Sequence, residues 1–345
     1  MMRPMMDPTF VKDLVETKRK RPPLVQWLVR ACKWFWRGLL SNPLAIHAPG
    51  EEKKPGWGAW KVLLRVVICW SIALPLLVGL MAMLAVFLGT HPAAASITSD
   101  PNSRGVYFEN VSFASEDGTA LSGWLIPAID ARRVIEEKDR TLRLHRPAMV
   151  LAHGYGQSMQ EMLPLVQPLH DEGVVVLVVG LRGSATSSAA AQTFGINESK
   201  DVAAAIRFLR TTSSVDANRV GVAGIGSGAN AVLMAAAGDA SLSAIVLANP
   251  LKDSTDVVAR NLAPHNAYLT WMQPLCRRVF EMTYGIDARE IDLDHYASVI
   301  KTRPTLVLDT GESFVLSEAS TLRQVKSFCR KQLRTQDIPV LSSGR

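Results

Sequence analysis

The run Arg219-Val-Gly-Val-Ala-Gly-Ile-Gly-Ser-Gly-Ala-Asn230 has the residue types and spacing of a site for covalent chemistry. Residues 220–223 are apolar and suit a buried strand, Gly224, Gly226 and Gly228 give a turn almost free of side chains, and 229–237 is rich in helix formers. Strand, sharp turn and helix are what a nucleophile elbow of pattern G-x-S-x-G needs, because the strained turn lifts the central hydroxyl above the sheet. With Gly224 and Gly228 as its flanks, the central residue is Gly226, which carries no nucleophile. Ser227 stands one place off, since a pattern centred on it needs glycines where Ile225 and Ala229 stand. The same residues also fit Gly224-x-Gly226-x-x-Ala229, a dinucleotide fingerprint. That reading wants an acidic residue after the next strand, yet residues 243–248 lead into Asn249, and at least three strands precede the turn. The elbow is the better account.

The elements that must hold this turn can be read in order. Residues 106–113 and 120–126 alternate as strands around Asp117-Gly118, a hairpin signal. Residues 130–146 form a charged insertion expected at the surface. A continuous apolar strand at 148–152 leads into His153-Gly-Tyr-Gly156, and a helix follows at about 159–171. A second buried strand, 174–179, ends in Gly180-Leu-Arg-Gly-Ser-Ala185. A helix at 200–211, the elbow strand and a strand at 243–248 come next, then irregular and partly helical sequence over 253–299. A strand at 305–308, a helix at 318–334 and a short strand at 338–341 close the chain. Strands apolar along their whole length, alternating with helices, imply an α/β fold: a mostly parallel sheet covered on both faces.

Asp117-Gly118, His153-Gly154, Arg182-Gly183, the glycine elbow and Gly311 occur in that order. On these pieces residues 105–345 resemble an α/β-hydrolase superfamily domain of the esterase and serine-peptidase-like kind, with a cap over about 253–300. The resemblance implies a nucleophile, a histidine base, an orienting acid and an oxyanion hole. At the positions it assigns, the nucleophile is Gly226, the acid three residues past Gly311 is Phe314, and the histidine after the last strand is Arg345. Glu312 is close but offset, and no histidine follows His295. The Asp-x-Arg-Gly-His-Gly pattern usual before the elbow has drifted to Gly180-Leu-Arg-Gly-Ser-Ala185. The implied oxyanion donors, the amides of Tyr155 and Ser227, survive, and His153 is implied to shape its loop without acting as a base.

The expectation is therefore a pseudohydrolase, without cofactor or metal, that binds a small acyl or peptide-like ligand or a protein partner. Two other readings stay open. One is an active hydrolase in which Ser227, Asp253 and either His265 or His295 converge; the other is a structural membrane scaffold. Against the displaced triad, Ser227 and Asp253 also read as helix caps and the two histidines as surface residues.

The formal charge of +7 is uneven. Residues 1–65 carry 13 Lys and Arg against 5 Asp and Glu, and the remainder 25 against 26, so nothing in the main domain invites nucleic acid. Residues 66–89 hold no charged residue across 24 positions, enough for a helix through about 30 Å of hydrocarbon. The expected organisation is a basic cytoplasmic arm over 1–62, a transmembrane helix over 63–90 and a linker over 91–104. Lys53, Lys54, Lys61 and Arg65 on one flank against Arg104 on the other put the N-terminus in the cytoplasm and the large domain outside. The anchor reads as uncleaved, although Ala93-Ala-Ala95 has the look of a processing site. In the arm, Arg30, Lys33 and Arg37 share a helical face beside Trp27 and Phe35. That suits a helix lying on anionic lipid head groups, or a tail whose charges only set topology. Cys276 and Cys329 either pair in an oxidising compartment or remain buried thiols.

Overall fold

The computed structural model describes residues 30, 57–93, 95–128, 145–257, 261–262, 267–309 and 318–335. Arm residues 1–29 and 31–56, most of the charged insertion, His265, Gly311, Glu312, Phe314, the expected strand at 338–341 and Arg345 lie outside them. The chain divides into Met1–Leu77 and Val78–Arg345, and the division falls within helix α1 (Trp57–Thr90). The stretch Trp60–Thr90, 31 residues, is long and apolar enough to cross a membrane.

Beyond α1 the described strands form one seven-stranded sheet. They are β1 (Glu109–Ala114), β2 (Ala120–Ile126), β3 (Arg146–Ala152), β4 (Val175–Gly180), β5 (Val215–Ile225), β6 (Ala244–Ala248) and β7 (Thr305–Leu308), in spatial order β1-β2-β4-β3-β5-β6-β7. The β1–β2 hairpin joins antiparallel through β2 against β4, and β4, β3, β5, β6 and β7 are parallel. The parallel strands need crossovers, and the helices α2 (Leu163–Asp171), α3 (Glu198–Thr211) and α4 (Ser227–Gly238) supply three of them.

Alternation along the strands explains why the sequence is apolar throughout them. Val150 and Ala152 of β3 face one cluster with Val202 and Leu209 of α3 and Val232 of α4. Met149 and Leu151 face the other, with Leu165 and Leu169 of α2 and Val325 of the helix Ala319–Gln332. Both faces are covered, so no position is left for a polar alternate. Truncating a fully buried residue here, such as Leu177, to alanine costs about 2–5 kcal/mol.

Two local readings change, and one left open is decided. The elbow strand begins at Val215, five residues earlier than expected, because β5 also pairs Val215 with Arg146 across a register shift. Arg146, assigned by sequence to an exposed insertion, is buried as the first residue of β3. Cys276 and Cys329 are both free thiols. Cys329 packs 3.7 Å from the sulfur of Met149 under the sheet, while Cys276 belongs to a separate cluster with Phe280 and Met272. Burial pushes the Cys329 thiol up to about 12, which keeps it protonated and inert.

Candidate functional site

The turn after β5 has the geometry that the glycine pattern implies. Gly226 sits at φ 53°, ψ −125°, and α4 starts at Ser227. Its N–H donates to Ala248 O at 2.9 Å, and its carbonyl accepts from the amide of Ala229 at 3.0 Å. The flanking glycines are needed for close approach. A Cβ at Gly224 would strike the backbone of Gly228, and one at Gly228 would strike the carbonyl of His153. At Gly226 the situation reverses: a Cβ would meet only Gly154 Cα, at 3.9 Å. Of the three glycines only Gly226 has room for a Cβ, and its positive φ strains any side chain placed there.

The opposite wall follows β3. His153 is fully buried; the Leu181 amide donates to its Nε2 at 3.2 Å, which leaves the proton on Nδ1, 2.9 Å from the carbonyl of Gly154. Burial lowers its pKa to about 4, so it stands neutral with both nitrogens committed to shaping the loop. Gly154 N–H is taken by Gln157 Oε1 at 2.9 Å. Among the described residues the amides of Tyr155 and Ser227 have no hydrogen-bond acceptor.

Between these walls lies a cavity of about 260 Å³ lined by Tyr155, Phe194, Ser227, Asn249, Leu251 and Asn261, among others, over the floor of Gly226. Ser227 is buried, and its hydroxyl has no partner among the described residues. The described lining holds no histidine, carboxylate, lysine or arginine. Its titratable group is the Tyr155 phenol, whose pKa burial raises. Such a pocket presents amides and apolar walls to an acyl or carboxylate group, with nothing on that lining to take a proton near neutral pH.

Buried polar groups brace it. Glu198, with no exposure to speak of, accepts from the amides of Thr193 (2.6 Å) and Gly195 (2.9 Å) and from the Thr193 hydroxyl (3.1 Å). This holds Phe194 at φ 58°, facing the pocket, and burial raises the carboxyl's pKa. Asn230 of α4 clamps the cap by donating to Leu251 O and Ile291 O, both at 2.9 Å, and accepting from Leu251 N at 2.7 Å. Arg182 donates to both oxygens of the fully buried Asp201 and to Asp117 at 2.8 Å, which pins the hairpin turn to the loop after β4. The Arg182 hydrogen bond holds the Asp117 carboxyl well below the usual carboxylate range.

The end of α1 forms part of the same structure. Tyr155 Oη donates to Gly89 O at 2.5 Å, Gln192 N donates to Thr90 O at 2.7 Å, and Thr90 Oγ1 lies 2.7 Å from Tyr284 Oη. Tyr284 ends helix α6 (Gln273–Tyr284), which follows the short helix α5 (Ser254–Val257) in the cap. Rings continue from Tyr155 to Phe194, 4.8 Å between centroids, then to Phe280 at 6.1 Å and Tyr284 at 5.5 Å.

Among the described residues Asp253 and His295 do not meet Ser227, and His265 lies outside those residues. Asp253 is exposed and accepts from the Thr255 amide at 2.7 Å, as a cap does. His295 is exposed with its ring against Tyr296. Neither lines the pocket. Sequence reasoning passed over Asp309, directly after β7, which forms a surface ion pair with Lys252. It also passed over Phe194, Asn249 and Asn261, which no motif marks.

A mixed, mostly parallel sheet with a tight elbow between β5 and α4 is the α/β-hydrolase fold. The profile of the X-Pro dipeptidyl-peptidase (S15) family matches residues 98–331, and the chain belongs to that family. The Pyrococcus furiosus esterase Pf2001 superposes with a TM-score of 0.52 over 70% of this chain and 99% of its own, at 17% identity. The chain is also similar to proteins named Uncharacterized protein YfhR. It is 28% identical over 163 residues to that of Escherichia coli O157:H7, covering 47% of this chain and 53% of the relative. It is 28% identical over 172 residues to that of Salmonella typhi, covering 47% and 55%. The chain thus spans about half the length of the curated relatives it matches.

Proposed function

We propose that this protein is a membrane-anchored, non-catalytic member of its family whose elbow pocket binds a small acyl or peptide-like ligand. The observation that carries the reading is the floor of the pocket: Gly226 stands where a nucleophile would, and no base lines the described wall. Acyl transfer loses several orders of magnitude when one triad member goes, while amide donors continue to bind. The free amides of Tyr155 and Ser227 support a ligand with a carbonyl or carboxylate head. The apolar helix and the basic balance of residues 1–65 support an anchor with a cytoplasmic arm on anionic lipid and the domain on the other side.

The test uses the full chain in detergent with a fluorophosphonate probe and p-nitrophenyl acetate, against a Ser227→Ala control. The expected result is no labelling and no hydrolysis above that control. One observation favours a second reading, an active hydrolase: Ser227 lines the cavity, and its hydroxyl makes no hydrogen bond among the described residues. Stoichiometric labelling abolished by Ser227→Ala would establish it and sink the first.

A further inference from the structure

The last turns of α1 are docked on one side and bare on the other. Ala82, Val86, Gly89 and Thr90 are buried, and Ala82 and Val86 share a cluster with Phe194, Cys276 and Phe280. Met83, Leu84, Phe87 and Leu88, on the outward side of the same turns, are 55–61% exposed. A helix apolar all round needs an apolar surround, so the outward side calls for lipid even where the inward side touches the globular domain. Trp60–Thr90 extends about 46 Å at 1.5 Å per residue, against about 30 Å of hydrocarbon, so its end reaches the head-group layer.

That end is also the wall of the elbow pocket. Tyr155, which lines the pocket, donates to Gly89 O. Asn261, which lines it too, packs so closely on Gly89 that a Cβ there would collide with its carbonyl. The pocket is therefore one residue thick from the lipid-facing helix. Its volume of about 260 Å³ equals about nine water volumes, room for a head group and a short length of chain only. The head would find the amides of Tyr155 and Ser227, the unpartnered Ser227 hydroxyl and, on the described lining, no acidic group to repel it.

We propose that the elbow pocket takes a single-chain carboxylate amphiphile, of the free fatty acid type, directly from the bilayer leaflet at the end of α1. The carboxylate lies at the elbow amides, and the tail passes Phe194 and Leu251 back toward the lipid. This deepens the ligand-binding reading above and rests on it and on the anchor.

The experiment reconstitutes the full chain in phosphatidylcholine vesicles containing a diazirine-bearing palmitic acid, followed by irradiation and mapping of labelled peptides. Label is expected on the peptides of Tyr155, Phe194 and Leu251, displaced by excess unlabelled palmitate. Leu251→Trp, which fills the pocket, should cut that label by about tenfold or more, a loss of about 1.4 kcal/mol in binding, without changing label on Leu84 and Phe87. Should Leu251→Trp misfold, displacement by palmitate in the native chain decides alone. Label confined to the outward face of α1 overturns the proposal and leaves the anchor standing. Absence of label on α1 as well overturns both. Equal pocket labelling by a diazirine butyrate without vesicles overturns the bilayer as source. Protection of the pocket by an Ala-Pro dipeptide but not by palmitate makes the ligand a peptide and overturns the proposal. Fluorophosphonate labelling of the same preparation reports separately on the non-catalytic reading.

Discussion

Gly226 and Gly228 are two residues apart, yet substitution at each should fail for a different reason. At Gly226 a Cβ has space, and the penalty is conformational: φ 53°, ψ −125° is a region L residues rarely occupy, costing about 1–3 kcal/mol. At Gly228 a Cβ would overlap the carbonyls of His153 and Ala152, and neither backbone can retreat without shifting β3. Overpacking of that kind costs at least as much as the strain at Gly226, and typically about 3 kcal/mol when backbone must move. For a domain of this size each kcal/mol lowers Tm by about 2–4 °C, so Gly226→Ser should melt about 2–12 °C lower. Gly228→Ala should fall further or fail to accumulate. Differential scanning fluorimetry of the detergent-solubilised chains gives the order, and a fluorophosphonate probe is applied to each in parallel. Gly226→Ser restores a hydroxyl, but the described lining offers no base, and a serine without one stays protonated and reacts slowly. Rapid, heat-sensitive labelling of Gly226→Ser would refute the reasoning, because a base would then stand within reach of position 226. A Gly228→Ala protein as stable as the native chain would refute the steric part.

His153→Asn should flatten the acid side of the stability profile. The folded histidine stays neutral down to about 4 while the unfolded one titrates near 6.5, so stability is whole above 6.5 and falls as the pH drops toward 4, by about 3 kcal/mol at most; melting curves across that range show it. Arg182→Ala leaves Asp201 buried and unpaired and should cost about 3–5 kcal/mol, whereas Asp117→Asn, at a third-exposed partner, should cost under about 1 kcal/mol; the pair is read by Tm. Glu198→Ala leaves the amides of Thr193 and Gly195 without an acceptor, at about 1–3 kcal/mol each, and should loosen Phe194, so labelling of the pocket drops more than Tm alone accounts for. A reporter fused after Arg345 should be active on the non-cytoplasmic side; cytoplasmic activity would invert the orientation drawn from Lys53, Lys54, Lys61 and Arg65.

Much of the fold was legible because the strands that matter are buried on both faces. Residues such as Val175 to Val179 have no polar alternate, so a short apolar run identifies them without ambiguity. The elbow was legible for a steric reason: Gly224 and Gly228 admit no side chain, so the pattern survives whatever stands between them. The pocket's walls were not legible. Phe194 and Asn249 hold positive φ without being glycine: Phe194 is held by the Glu198 carboxylate beside it, a link no motif marks, and the Asn249 amide is held by Leu308 O of β7, distant in sequence. The early start of β5 was hidden for the same reason, since only Arg146 across the sheet recruits Val215. The thiol pairing that spacing left open needed the packing itself, which places Cys329 against Met149 and Cys276 in a different cluster with Phe280.

The docking of α1 alters what counts as the smallest intact piece of this protein. Sequence composition invites a truncation near residue 100, after the apolar segment, and a peptidase cutting at Ala93-Ala-Ala95 would make a similar product. Either cut removes Gly89 and Thr90. It would strip the acceptor from the Tyr155 hydroxyl and the partners of Gln192 and Tyr284, and uncover Phe280 and Phe194 where Ala82 and Val86 had lain. The released fragment would carry an open flank beside the pocket and a sticky apolar scar. A form cut there would therefore be a different molecule from one that keeps α1, and inactivity or aggregation in it would say little about the parent.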